Sequence, residues 1–125
     1  MRVKEVMRRG VEYVSPECTV QEAAEMMRAS ALEPLPVCEA ERLVGVLTDR
    51  DITIRITDGG HDPSQCKVRA AMTPEVVYCF EDQEIEEATW FVRDHQMQQV
   101  PVLDREHHLV GILCLEQLSA DTGNE

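Results

Sequence analysis

Four consecutive residues, Thr48-Asp49-Arg50-Asp51, carry side chains suited to a phosphorylated sugar. They stand where the apolar run Leu43–Leu47 gives way to a helical pattern, so the sequence places them at a helix N-terminus. The first amides of a helix lack intrahelical partners, and the dipole there is positive, which favours an anion. A threonine hydroxyl at that point can hydrogen-bond a phosphate oxygen, and an arginine adds a further donor. An aspartate three residues on points the same way and can accept two hydroxyl protons, as the 2′- and 3′-OH of a ribose offer. The same T-x-x-D spacing is also an ordinary capping box with Asp in place of Glu, and both readings stay open at this point.

The other reactive residue types are scattered. Cys18, Cys38, Cys66, Cys79 and Cys114 are odd in number, widely spaced and free of any C-x-x-C. That pattern reads as reduced thiols serving as small hydrophobes, not as a disulfide framework or a zinc site. His61 and the pair His107-His108 stand without a Cys or carboxylate at ligand spacing, so they read as solvated linker and turn residues and no metal is expected. No acid, base and nucleophile set emerges, so the chain does not read as an enzyme. The acidic run Glu81–Glu87 reads as a solvated face that complements a helix dipole.

The elements that must position Thr48 and Asp51 come from a chain of 125 residues with 43% hydrophobic content, enough for one compact domain or two very small ones sharing a core. Its 24 acidic residues against 12 basic give a net charge of −12, which sets it against nucleic-acid polymers and anionic membrane surfaces. The charge is uneven: residues 1–62 hold 8 basic and 12 acidic side chains, residues 63–125 hold 4 and 12. With five aromatic residues in all, the core must be aliphatic. The N-terminus has no apolar signal core, and the longest apolar run, Leu109–Leu115, falls well short of the roughly 20 residues that span a bilayer. The expected location is the cytoplasm.

The chain repeats itself. At a displacement of 65 residues, Val3 falls on Val68, Met7 on Met72, Tyr13 on Tyr78, Glu22-Ala23 on Glu87-Ala88, Arg28 on Arg93 and Pro36-Val37 on Pro101-Val102. A one-residue insertion near His107 then brings Leu43-Val44-Gly45 onto Leu109-Val110-Gly111 and Leu47 onto Leu113. Each repeat reads as β-α-β-β-α. Residues 11–14 and 76–80 are short β-rich runs. In repeat 1 a helix follows, with Val20, Ala23, Ala24, Met27 and Ala31 at helical spacing and Thr19 with Glu22 as its capping box. Repeat 2 has Ile85, Ala88 and Val92 on the same face but no Ser/Thr cap. Pro-Val strands pair with Leu43–Leu47 and Leu109–Leu113, where Gly45 and Gly111 imply a close backbone approach or a bulge. A last helix runs from about Asp49 to Thr57 and is stopped by Asp58-Gly59-Gly60. The divisions are 1–57, a linker 58–67, 68–120 and a tail 121–125. One such repeat has an apolar sheet face to cover, and the second copy covers it.

These features together resemble the CBS domain pair, the Bateman module. The resemblance runs over residues 2–120 and rests on V-K-E-V-M (3–7), V-R-A-A-M (68–72), the Pro-Val strands and G-V-L-T-D-R-D (45–51), which matches the family's G-h-x-[ST]-x-x-[DN] pattern in full. It implies an α+β fold of tandem repeats with pseudo-two-fold symmetry, two small sheets with helices outside. It implies a regulatory, energy-sensing role without a required cofactor. An adenine nucleotide or adenosyl ligand (AMP, ADP, ATP, NAD or S-adenosylmethionine) would sit in a cleft between the repeats. By that analogy Thr48, Arg50 and Asp51 hold phosphate and ribose, and the Val46 backbone lines the base. Gln83, Ala88 and Gln98 match cross-contacts from the second repeat. Repeat 2 departs from the pattern, with Cys114, Glu116 and Gln117 where repeat 1 has Thr48, Arg50 and Asp51, so one competent site is expected. Glu33, the counterpart of Gln98, would face the degenerate site. The family's disc-like dimers point to a homodimer, with Met26, Trp90 and Phe91 as its surface, and to a further, unidentified protein target. A ligand-free interaction module is the alternative.

Overall fold

The computed structural model describes residues 1–74 and 76–114. The chain sorts into two compact units, Glu12–Val76 and Met1–Val11 with Val77–Glu125. In Glu12–Val76, helix α1 (Val20–Ser30) opens on the expected capping box: the Thr19 hydroxyl accepts from the Glu22 amide at 3.1 Å, and the Glu22 carboxylate accepts from the Thr19 amide at 3.0 Å. Its buried face is Val20, Ala23 and Met27. Strands β1 (Leu35–Glu39) and β2 (Arg42–Leu47) form an antiparallel hairpin whose register shifts between Val37 and Cys38. Helix α2 (Asp49–Ile52) starts directly after β2, and Thr53–Asp58 continue it as a π-helical turn through a run of β-branched residues. Helix α3 (Val68–Ala71) completes the unit.

The other unit starts with a 3₁₀ turn at Val3–Glu5. It then contains strand β3 (Cys79–Phe80), helix α4 (Ile85–Asp94) and strands β4 (Gln99–Leu103) and β5 (Leu109–Cys114). β3 runs parallel to β4, and β4 antiparallel to β5. Its aliphatic core gathers Val3, Met7, Ile85, Ala88, Val92, Val100, Val102 and Leu113 around Cys79. Helix α4 lacks a side-chain cap, as expected, and its Ile85 amide donates to the Met1 carbonyl at 2.8 Å instead. The helix expected at the end of repeat 2 falls on residues 115–120, outside the described residues.

Both first strands are shorter than expected. Residues 11–14 reduce to one parallel bridge between Val14 and Val37, because Pro16 follows and has no amide for the ladder. Residues 76–80 reduce to Cys79–Phe80. Both expected glycine approaches are present. A Cβ on Gly45 would lie 2.9 Å from Met72 Sδ and 2.9 Å from the Thr73 carbonyl oxygen. One on Gly111 would lie 2.6 Å from Met7 Sδ and 3.0 Å from the Arg8 carbonyl oxygen. These contacts show that the leading segment of each repeat packs with the hairpin of the other. The backbone repeats the arrangement: Val20 N–H to Cys66 and Val68 N–H to Cys18, both 2.8 Å, in one unit; Ile85 to Met1 at 2.8 Å and Val3 to Gln83 at 2.9 Å in the other. Burial pushes the Cys38 thiol up to about 12 and the Cys79 thiol up to about 11, as for thiols that serve as core.

Candidate functional site

The T-x-x-D corner is fully formed. The Thr48 hydroxyl accepts from the Asp51 amide at 3.1 Å, and Asp51 Oδ2 accepts from the Thr48 amide at 3.0 Å. The capping reading of these residues is therefore correct as geometry. It leaves ligand capacity, because an ionised carboxylate has about four acceptor positions on its two oxygens. Asp51 Oδ1 accepts one further bond, from the Thr73 hydroxyl at 3.0 Å. Sequence reasoning missed Thr73: the repeat alignment pairs it with Arg8, which has no hydroxyl.

Glu33, expected to face the degenerate site, instead reaches this corner, where its Oε2 accepts from the Asp49 amide at 2.9 Å. The Arg50 side chain is exposed and forms no hydrogen bond or ion pair among the described residues. At Val46 the amide donates to the Thr73 carbonyl at 3.0 Å and the carbonyl accepts from the Thr73 amide at 2.8 Å, an antiparallel bridge that ties β2 to the segment carrying Thr73.

The remaining candidates lie in the other unit, apart from Met26. Gln83 closes a turn, its Oε1 accepting from the Phe80 amide at 2.7 Å. Gln98 is exposed. Ala88 is 0% exposed and packs in the core. Trp90 is 69% exposed, whereas Phe91 packs partly against the core with its ring 4.3 Å from His95; Met26 is half-buried. Glu116 and Gln117 lie outside the described residues.

Several dismissed residues turn out to be engaged. His108 Nδ1 lies 3.1 Å from Asp104 Oδ2, so a carboxylate does stand beside it, and His107 packs against Tyr78 and Phe80. Among the described residues no group of three His, Cys, Asp or Glu is placed to hold a metal ion. The acidic run is partly paired: Arg105 binds Asp82 through both carboxylate oxygens, at 3.0 and 2.8 Å, and lies over the Phe80 ring.

The decisive comparison is with family descriptions: the CBS domain model matches residues 3–58 and again 68–120. The chain belongs to the CBS domain family. CBS domain-containing protein YhcV of Bacillus subtilis is 38% identical over 119 residues, 95% of this chain and 84% of the relative. Hypoxic response protein 1 of Mycobacterium tuberculosis is 35% identical over 111 residues, 88% of this chain and 77% of the relative. A crystal structure of Hypoxic Response Protein I with two coordinated zinc ions superposes at a TM-score of 0.83, with 31% identity over 97% of this chain and 98% of that one. Two CBS structures at 22% identity share the fold: CBSX2 in complex with AMP, at a TM-score of 0.81 over 96% and 94% of the two chains, and the CBS domain pair of protein MJ0100 with 5′-methylthioadenosine and S-adenosylmethionine, at 0.80 over 96% and 94%. No helix among the described residues is long and apolar enough to cross a membrane.

Proposed function

We propose that this CBS pair is a non-catalytic regulatory module that binds an adenine nucleotide or adenosyl ligand at the Thr48–Asp51 corner. The observation that carries the reading is the Asp51 carboxylate, held by the Thr48 amide and the Thr73 hydroxyl with acceptor positions left for two ribose hydroxyls. AMP in CBSX2, and 5′-methylthioadenosine with S-adenosylmethionine in MJ0100, support an adenosine-type ligand here. Binding shifts the packing of the module only by the ligand's differential affinity for its alternative arrangements, and that shift is the signal.

Thermal melting tests this. A ligand at about 100 times its dissociation constant adds about 2.7 kcal/mol to stability, which raises the melting temperature by several degrees. AMP, ADP, ATP, NAD or S-adenosylmethionine should produce such a rise, and Asp51→Ala should abolish it. A folded sample that responds to none of them sinks the reading.

A second reading rests on Trp90, whose indole is 69% exposed on α4. It makes the protein a self-associating interaction module through the Trp90 face of α4, with Thr48–Asp51 as a cap alone. A homodimer that ignores every adenosyl ligand would favour this second reading.

A further inference from the structure

The amides that open α2 are almost fully committed within the chain. Asp49 N–H donates to Glu33 Oε2 at 2.9 Å, Asp51 N–H to Thr48 Oγ1 at 3.1 Å, and Ile52 N–H to the Thr48 carbonyl at 3.1 Å. Thr48 N–H donates to Asp51 Oδ2 at 3.0 Å. That leaves the Arg50 amide as the one in this turn without a partner among the described residues. A phosphate at a helix start depends on these groups, and a carboxylate of the protein already stands on the first of them. Glu33, Asp49 and Asp51 bring three negative charges to the corner, against Arg50 and Arg28. A cavity of about 420 Å³ opens beside it, walled by Glu33, Asp49, Met27, Leu32 and Ile52, with Arg28 also on its wall. Apolar side chains next to two carboxylates suit an uncharged or cationic group better than a phosphate dianion.

Resting on the reading of Asp51 as the ribose acceptor, we infer that the site selects adenosyl ligands whose 5′ substituent is neutral or cationic over those with a 5′-phosphate. Asp51 accepts the ribose hydroxyls that all these ligands share. Glu33 decides among them, because its charge occupies the place where a phosphate would meet the Asp49 amide. It acts as a specificity-determining residue by repulsion, while the bond to the amide holds it there.

Calorimetric titration with 5′-methylthioadenosine and AMP tests this cleanly, since the two differ only at the 5′ group. S-adenosylmethionine supplies the cationic case. The wild-type chain should bind 5′-methylthioadenosine at least about tenfold more tightly than AMP at moderate ionic strength. Glu33→Gln keeps an acceptor for the Asp49 amide and removes the charge. It should raise AMP affinity about fivefold and leave 5′-methylthioadenosine nearly unchanged. AMP binding as tightly as 5′-methylthioadenosine would overturn the selection while leaving the ribose site intact. A preference for 5′-methylthioadenosine that Glu33→Gln does not narrow would remove Glu33 from the role. Binding of none of the three by a folded sample rejects the ligand site itself, and the selection with it.

Discussion

Asp51 is tied at three points: its amide to the Thr48 hydroxyl, Oδ2 to the Thr48 amide and Oδ1 to the Thr73 hydroxyl. The first two bonds orient the helix start, and the third fixes the free side of the carboxylate. Thr73 is itself set by two backbone bonds to Val46, so its hydroxyl is presented from a rigid position. Thr73→Val keeps the shape and deletes the donor. One hydrogen bond to a charged group is worth about 1.5 kcal/mol, so ligand affinity should fall roughly tenfold, and Thr73→Ser should restore it. Calorimetry on the three proteins checks this; equal affinity for the valine variant would show that Thr73 supports the backbone alone. Thr48 and Asp51 were legible in the sequence because a cap and its carboxylate are three residues apart. Thr73 was not, because it reaches Asp51 across 22 residues from a segment that repeat alignment equates with an arginine.

At the level of elements, the leading segment around α3 is held by charge as well as by backbone. Glu17 accepts from Lys67 at 3.0 Å and from Arg69 at 2.9 Å, and Arg69 also pairs with Glu39 at 2.9 Å. Hydrogen bonds from Lys67 and then Arg69 hold the Glu17 carboxyl below its ordinary value of 4.5. Arg105 does the same for Asp82, and the His108 amide for Asp104, both below 3.8. A depressed folded pKa contributes stability that is present above the unfolded value and is lost as pH falls through the folded one. The melting temperature should therefore hold from pH 7 down to about 5 and decline below about 4.5. All three carboxylates are solvent-facing, so each contribution is small. Lys67→Ala with Arg69→Ala should melt below wild type at pH 7, and the gap should close as the pH falls below the ordinary carboxylate range and Glu17 protonates. A gap that stays constant over that range would assign the loss to packing. Helix α1 and both hairpins were readable because periodicity, a capping box and Pro-Val pairs agree locally. The first strands were overestimated because a β-rich run does not show where a ladder partner ends.

Over the whole molecule, the sequence repeat and the packing unit are different partitions of one chain. The family model follows the repeat, 3–58 and 68–120, whereas the compact units are Glu12–Val76 and the segments on either side of it. Self-similarity reveals which residues are equivalent, but it carries no signal for which copy a leading segment packs against. Gly45 and Gly111 were the available hint: each is glycine because Met72 or Met7 fills the space where a Cβ would stand. A fragment of residues 1–57 lacks Val68, Ala71, Met72 and Thr73, and so loses the bridge to Val46 and the bonds between Val20 and Cys66 and between Val68 and Cys18. It carries Val3 and Met7 instead, which belong to the other core. A fragment of residues 12–76 keeps the Val46–Thr73 bridge and the bonds between Val20 and Cys66 and between Val68 and Cys18. The second fragment should therefore give dispersed amide resonances and a cooperative melt, and the first should not, although the first follows the repeat boundary. Equal behaviour of the two fragments would show that the exchange of leading segments does not govern stability. If the exchange does govern it, cutting the chain at 57 separates Thr73 from Asp51 and removes the ligand site together with the fold.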